Sequence, residues 1–185
     1  VSVGAYRDVM ASIPAPRVSL EPWSEDDLDL LRRTNTPEMT QYLGGPETEE
    51  QLLARHRRYL DPEANGSMFR VVLLPVGQVV GSTGFWDHAW GGGPAYETGY
   101  GIVPEFQGRG LAVAATLAVA DRARADGRHR FLHAFPSVEH AASNAVCRKA
   151  GFELVEQAEF EYPKGHLILS NVWRMDLWAP VSGSQ

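Results

Sequence analysis

Apolar and polar positions alternate over Arg17 to Trp23 (RVSLEPW), the period of two that turns one face of a strand toward a core. From Ser24 the spacing changes. Leu28, Leu30 and Leu31 form a helical stripe behind Ser24 and Asp27, a capping-box pattern that opens a helix. Thr48 and Gln51 repeat that pattern and predict a second helix, with Leu52 and Leu53 apolar and Arg55, Arg57 and Arg58 polar. The polar stretch between them, with Gly44, Gly45 and Pro46, reads as loop.

Strands follow. Met68 to Leu74 and Val79 to Trp86 read as a hairpin about a turn at Pro75 to Gln78. Trp90 to Pro94 (WGGGP) reads as a flexible connection, and Tyr96 to Val103 (YETGYGIV) as the next strand. A glycine-rich turn then leads into a long helix from about Gly108 to Asp126, stopped by Gly127. Arg130 to Phe135 is a strand, Val138 to Ala150 a helix ended by Gly151, and Phe152 to Glu161 and Leu167 to Trp178 a closing strand pair. The order β-α-α-β-β-β-α-β-α-β-β, without repeat or linker, predicts one α/β domain: a mixed sheet with helices on its faces. Residues 1–16 are expected to be a lead-in, 17–178 the domain and 179–185 a frayed tail.

Composition narrows the class. At 185 residues, 44% hydrophobic and 22% charged, the chain has the make-up of an ordinary globular domain, which excludes disordered and fibrous classes. A net charge of −6 leans against nucleic-acid binding. The single cysteine, Cys147, rules out an intramolecular disulfide and fits a reducing compartment. Val1 to Pro16 lacks the pattern of a secretory signal, and Leu111 to Ala120 is too short to span a bilayer, so a cytoplasmic location without membrane contact is expected.

The candidate chemistry lies in Gln107-Gly108-Arg109-Gly110-Leu111-Ala112, between a strand and a helix. Helix N-termini carry unpaired N–H groups and partial positive charge, and bare glycines let a phosphate approach them. The turn therefore reads as an anion site to which Arg109 adds charge. A P-loop needs Lys-Ser/Thr where Leu111-Ala112 stands, and a dinucleotide fingerprint needs an early βαβ unit, so both fit poorly. The alternative is a tight turn that binds nothing.

QGRGLA resembles the Q/R-x-x-G-x-G/A acyl-CoA loop of the GNAT superfamily of N-acetyltransferases, with Gln107, Gly110 and Ala112 at the defining places. Tyr96-Glu97-Thr98-Gly99-Tyr100 looks like the preceding strand of that superfamily. His140 to Phe152 (HAASNAVCRKAGF) resembles its N-x-x-S-x-x-V-x-x-K-x-G-F helix at Ser143, Val146, Lys149, Gly151 and Phe152. The similarity leans toward the branch of ribosomal-protein N-terminal acetyltransferases. It implies a mostly antiparallel sheet of about seven strands flanked by about four helices, and acetyl-CoA as co-substrate. It further implies that Ile102 and Val103 meet the pantetheine arm and that the amides of Gly108, Arg109, Gly110, Leu111 and Ala112, with Gln107, hold the pyrophosphate.

An amine with a pKa of about 8 to 10 must lose a proton before it attacks a thioester. Glu97, where the resemblance sets a base glutamate, is the expected base, its alternatives being an exposed strand carboxylate or one that holds a basic neighbour in place. Cys147 stands where many relatives carry a proton-donating tyrosine. Ser143, one turn earlier, is the hydroxyl the resemblance sets near the CoA sulfur; helix packing is its alternative. His140 replaces a frequent asparagine at the pantetheine arm. Cys147 reads as inert packing rather than a nucleophile. Trp86, Asp87, His88, Trp90 and Tyr96 are candidates for an acceptor pocket. His129 and His133 have a helical metal spacing but fall on a predicted strand, so no metal is expected. The implied reaction is direct acetyl transfer to a primary amine, a protein N-terminus or a small molecule, in a ternary complex. The competing reading is a non-catalytic acyl-CoA-binding module on the same fold. Homodimerisation, acyl-chain length and the choice between Cys147 and Ser143 as acid stay open.

Overall fold

The computed structural model describes residues 16–61, 64, 66–162 and 165–180. Nearly all of the expected lead-in and most of the tail fall outside them. Among the described residues, seven strands form one sheet: β1 (Val18–Pro22), β2 (Gly66–Leu73), β3 (Gln78–Trp90), β4 (Gly93–Ile102), β5 (Phe131–Ala134), β6 (Glu153–Glu161) and β7 (Leu167–Asp176). Their spatial order is β1-β2-β3-β4-β5-β7-β6. Every neighbouring pair is antiparallel except β4 and β5.

Among the described residues, five α-helices accompany the sheet: α1 (Leu28–Thr34), α2 (Pro37–Thr40), α3 (Glu49–Leu60), α4 (Leu111–Asp126) and α5 (Ala141–Lys149). The sequence pattern predicts four. α2 is one turn long, too short for a stripe, and is fixed by Pro37 and by the Thr36 hydroxyl accepting from Met39 N–H. Both expected caps form. Thr48 and Gln51 exchange hydrogen bonds at the start of α3. Asp27 accepts from the Ser24 amide and hydroxyl at 2.7 and 2.8 Å, although the first turn there is a 3-10 turn, Glu25–Asp27.

The segment WGGGP is no loose connection. β3 runs on to Trp90, and Gly91 and Gly92, both at positive φ, make the two-residue turn that matches the twist of a hairpin. The glycines read as a flexible loop supply a tight turn instead.

Leu111, Ala115, Val119 and Ala123 recur every four residues along α4 and bury one stripe against the sheet. They meet Val71, Val80, Tyr96, Ile102 and Leu132, and α5 adds Cys147 to the same core. A smaller cluster of Trp23, Leu30, Leu31, Leu52 and Val103 forms under α1 and α3. Ile102 and Val103 are adjacent, and successive side chains of a strand point to opposite faces. α4 and α5 therefore cover one face of the sheet, and α1 and α3 the other.

Candidate active site

The sheet opens in its middle. β4 and β5 pair only at Tyr96↔Leu132 and Glu97↔His133. Past Glu97, β4 runs on to Ile102 bonded to β3 alone, while β5 turns to β7. The result is a notch with unshared backbone groups on its β4 edge. Backbone direction alternates along a strand. Val103 N–H bonds Val80 O at 2.9 Å, so the groups of Ile102 face the notch.

This corrects one expectation. Val103 carbonyl also accepts from Phe106 N at 3.0 Å, so both of its backbone groups face away from the notch where a pantetheine arm would lie. Ile102 keeps its place on the notch, although its carbonyl accepts from Gln107 Nε2 at 2.9 Å. Gln107 thus acts as a strut between the turn and the strand.

At the notch's end lies the turn into α4. Gly108 and Gly110 have φ of 75° and 77°, where an L side chain is strained, which explains glycine at both places. Gly110 caps α4 from that conformation, and its carbonyl receives the first helical bond, from Ala114 N. The amides of Leu111, Ala112 and Val113 head the helix without intrahelical partners. Arg109 lies 5.0 Å above the Phe106 ring and donates to Glu105 O at 3.0 Å, so its charge sits at the exposed turn.

On the face under α1 to α3, Glu97 stands opposite Trp86. Its side chain is only 15% exposed, and Oε2 lies 3.3 Å from His88 Nδ1. Burial pushes the carboxyl up to about 7, against the opposing pull of the Trp86 hydrogen bond. His88 is pushed down by its own burial. His133, beside Glu97 on β5, is pushed to about 4 by burial, then by Arg174 and His88.

Of the five acceptor candidates, period two brings Trp86, His88 and Trp90 to the face of Glu97. A Cβ on Gly99 would come within 3.1 Å of the Trp86 indole, so that glycine makes room for the ring. Asp87 and Tyr96 point the other way. The Tyr96 hydroxyl bonds Asp126 beneath α4, and Asp87 pairs with Arg128 at 2.7 Å. Neither shares the face of Glu97. Phe135 and Phe160, unmarked by any motif, stack at 4.3 Å and put Phe135 5.2 Å from His88. They are part of what keeps water from the Glu97–His88 pair.

On the opposite face α5 closes the notch. His140 is its N-cap, stacked on Tyr42 at 4.5 Å. Asn144 is buried with all its polar capacity used. It donates to Ser137 O and His140 O and accepts from Asn171 Nδ2 and Trp173 Nε1, which fastens α5 to β7. That fixes Ser143, whose Oγ lies 2.8 Å from Tyr100 Oη. Cys147 is fully buried, with its thiol pushed up to about 11, which removes it as a nucleophile at neutral pH.

The GNAT acetyltransferase domain family matches residues 17–153, spanning β1 to β5, the notch, the turn and α5. The chain belongs to the GNAT acetyltransferase family. No curated protein matches it. Solved structures share this GNAT fold. A GNAT-family acetyltransferase from Bacillus anthracis has 20% identity and a TM-score of 0.70, over 89% of this chain and 98% of that one. Spermidine N-acetyltransferase from Vibrio cholerae, solved with CoA and spermine, has 14% identity and a TM-score of 0.71, over 87% and 96%. The Salmonella typhimurium acetyl transferase that modifies the N-terminal serine of ribosomal protein L7/L12 has 19% and 0.69, over 86% and 95%. Among the described residues, no helix of this GNAT domain is long and apolar enough to cross a membrane.

Proposed function

We propose that the protein transfers an acetyl group from acetyl-CoA to a primary amine, with Glu97 as the base and no covalent enzyme intermediate. The observation that carries this is the parting of β4 from β5 directly after Glu97, with the bare amides of the α4 turn at the far end of the same gap. A pantetheine arm laid along β4 through Ile102 has its pyrophosphate at Gly108 to Ala112 and its thioester beside Glu97. Solved relatives hold CoA on this fold, which supports the same co-substrate here.

The amine approaches over Trp86 and loses a proton to Glu97. Its nitrogen attacks the thioester carbon, and a backbone N–H of the β4 edge steadies the oxygen of the tetrahedral intermediate. The C–S bond then breaks and the CoA thiol departs. A carboxyl held near 7 suits this work, since proton transfer is most efficient from a base matched to the working pH.

The test is thiol release from acetyl-CoA with a peptide N-terminus, a polyamine and an aminoglycoside as acceptors. Glu97→Gln should lower kcat by about 10²-fold or more with the best acceptor, the usual worth of a positioned base. Wild-type kcat/KM should rise through a limb near pH 7 that the variant lacks. Turnover equal in the variant overturns the role of Glu97. Binding of acetyl-CoA without turnover on any amine supports the non-catalytic module.

A further inference from the structure

The sequence pattern leaves the thiolate side of the reaction without its usual tyrosine, because Cys147 occupies that helical position. A phenol nevertheless reaches the same spot from another element. Tyr100, on β4 three residues past Glu97, sends its hydroxyl under α5, to 2.8 Å from Ser143 Oγ, 3.1 Å from Ser143 O and 3.9 Å from Cys147 Sγ. We infer that Tyr100 is a positioning residue that turns and polarises the Ser143 hydroxyl as hydrogen-bond donor to the departing CoA sulfur. This rests on the acetyl-CoA reading above.

The argument is one of counting protons. A phenol has one proton and a serine hydroxyl one. A helical serine tends to spend its proton on the carbonyl a turn earlier, which would waste it here. Ser143 O already accepts within α5, so it does not need Tyr100. When negative charge grows on a sulfur beside Ser143, that charge draws the serine proton toward itself. Tyr100 Oη–H is then the group within reach that can donate to Ser143 Oγ, and donors in series strengthen one another.

Tyr100 does not give up its proton. Burial, the leading cause, pushes its pKa far above the ordinary phenol value. A CoA thiol, near the ordinary thiol value of about 8.5, is much the stronger acid, so net transfer from Tyr100 is uphill. Sulfur is stabilised by hydrogen bonding through Ser143 and takes its final proton from solvent or from the amine. Burial of Tyr100 thus keeps the donor in its donating form across the working pH range.

The test reads the product complex and needs no knowledge of the acceptor. CoA is bound to wild type, Tyr100→Phe, Ser143→Ala, Ser143→Thr and the Tyr100→Phe/Ser143→Ala double variant. Binding is followed by calorimetry, and the bound thiol is titrated by its ultraviolet thiolate absorbance, corrected against apo protein. The expected result is a bound thiol more acidic than that of free CoA. Tyr100→Phe and Ser143→Ala should each raise its pKa by about one unit, the tenfold effect of losing about 1.4 kcal/mol of hydrogen bonding. Adding the second change to the first should raise it no further, because one chain carries both effects. Ser143→Thr should restore most of the shift.

A Tyr100→Phe complex with an unchanged thiol pKa overturns the inference, as does a full shift persisting in the Ser143→Ala background. Should Tyr100→Phe fail to fold, Tyr100→Met takes its place, with the same expected rise and the same refuting result. Absence of CoA binding to wild type refutes the acetyl-CoA reading and this inference together. Binding with an unmoved pKa refutes only the inference.

Discussion

Glu97 and Tyr100 sit three residues apart on one strand, and the period of two sends them to opposite faces. In the proposed reaction Glu97 faces the amine and Tyr100 backs the Ser143 hydroxyl that faces the sulfur, so a single strand serves both sides of the bond that breaks. Glu97 was legible in the sequence as a carboxylate in the right strand. Its raised pKa was not, because that comes from burial, which only folding brings about and which outweighs the lowering hydrogen bond of Trp86. Tyr100 was missed for a related reason: its partner lies 43 positions away, and no local spacing points to it. The acidity of Glu97 also carries a stability cost. Its folded pKa of about 7 lies above the ordinary carboxyl value of 4.5. Below pH 4.5 both states are protonated and nothing is lost. Between 4.5 and 7 the unfolded chain ionises first, and above 7 the loss is complete. At pH 8, Glu97→Gln should therefore stabilise the protein by up to ~3 kcal/mol, an advantage that disappears near pH 4. Thermal melts of both proteins at the two pH values check this, and an unmoved melting temperature at pH 8 contradicts it.

At the scale of elements, period and caps located both long helices and most strands, since those signals depend on neighbours in sequence. The exceptions have local causes. α2 has four residues and no room for a stripe. Gly91 and Gly92 look like looseness in a sequence and make a tight turn when strands on either side pair. α5 depends on one residue no motif singled out. Asn144 spends its oxygen on Asn171 and Trp173 and its nitrogen on two carbonyls. Asn144→Ala leaves a buried indole N–H without a partner, at a cost of roughly 1–3 kcal/mol. It also frees α5 from β7, so kcat should fall along with stability although Asn144 touches no reacting atom. Denaturant melts with parallel kinetics test this; stability lost with kcat intact would show that α5 holds its place by other means.

Over the whole molecule, the order of elements gave one mixed domain but could not give the order of strands. Which strands part company is a property of the closed sheet. The notch exists because β5 is only four residues long and pairs with β4 at two positions, while β4 runs on beside β3. That gap, the α4 turn and the buried carboxylate belong to three elements brought to one line. The central claim is that this line is an acetyl-CoA site, and calorimetry of acetyl-CoA on wild type and Arg109→Glu tests it most directly. The charge reversal introduces no backbone strain, unlike any change at Gly108 or Gly110, which hold positive φ. Micromolar binding by wild type, weakened about tenfold or more in the variant, is the predicted result; no heat with wild type, or equal affinity in the two, would contradict it.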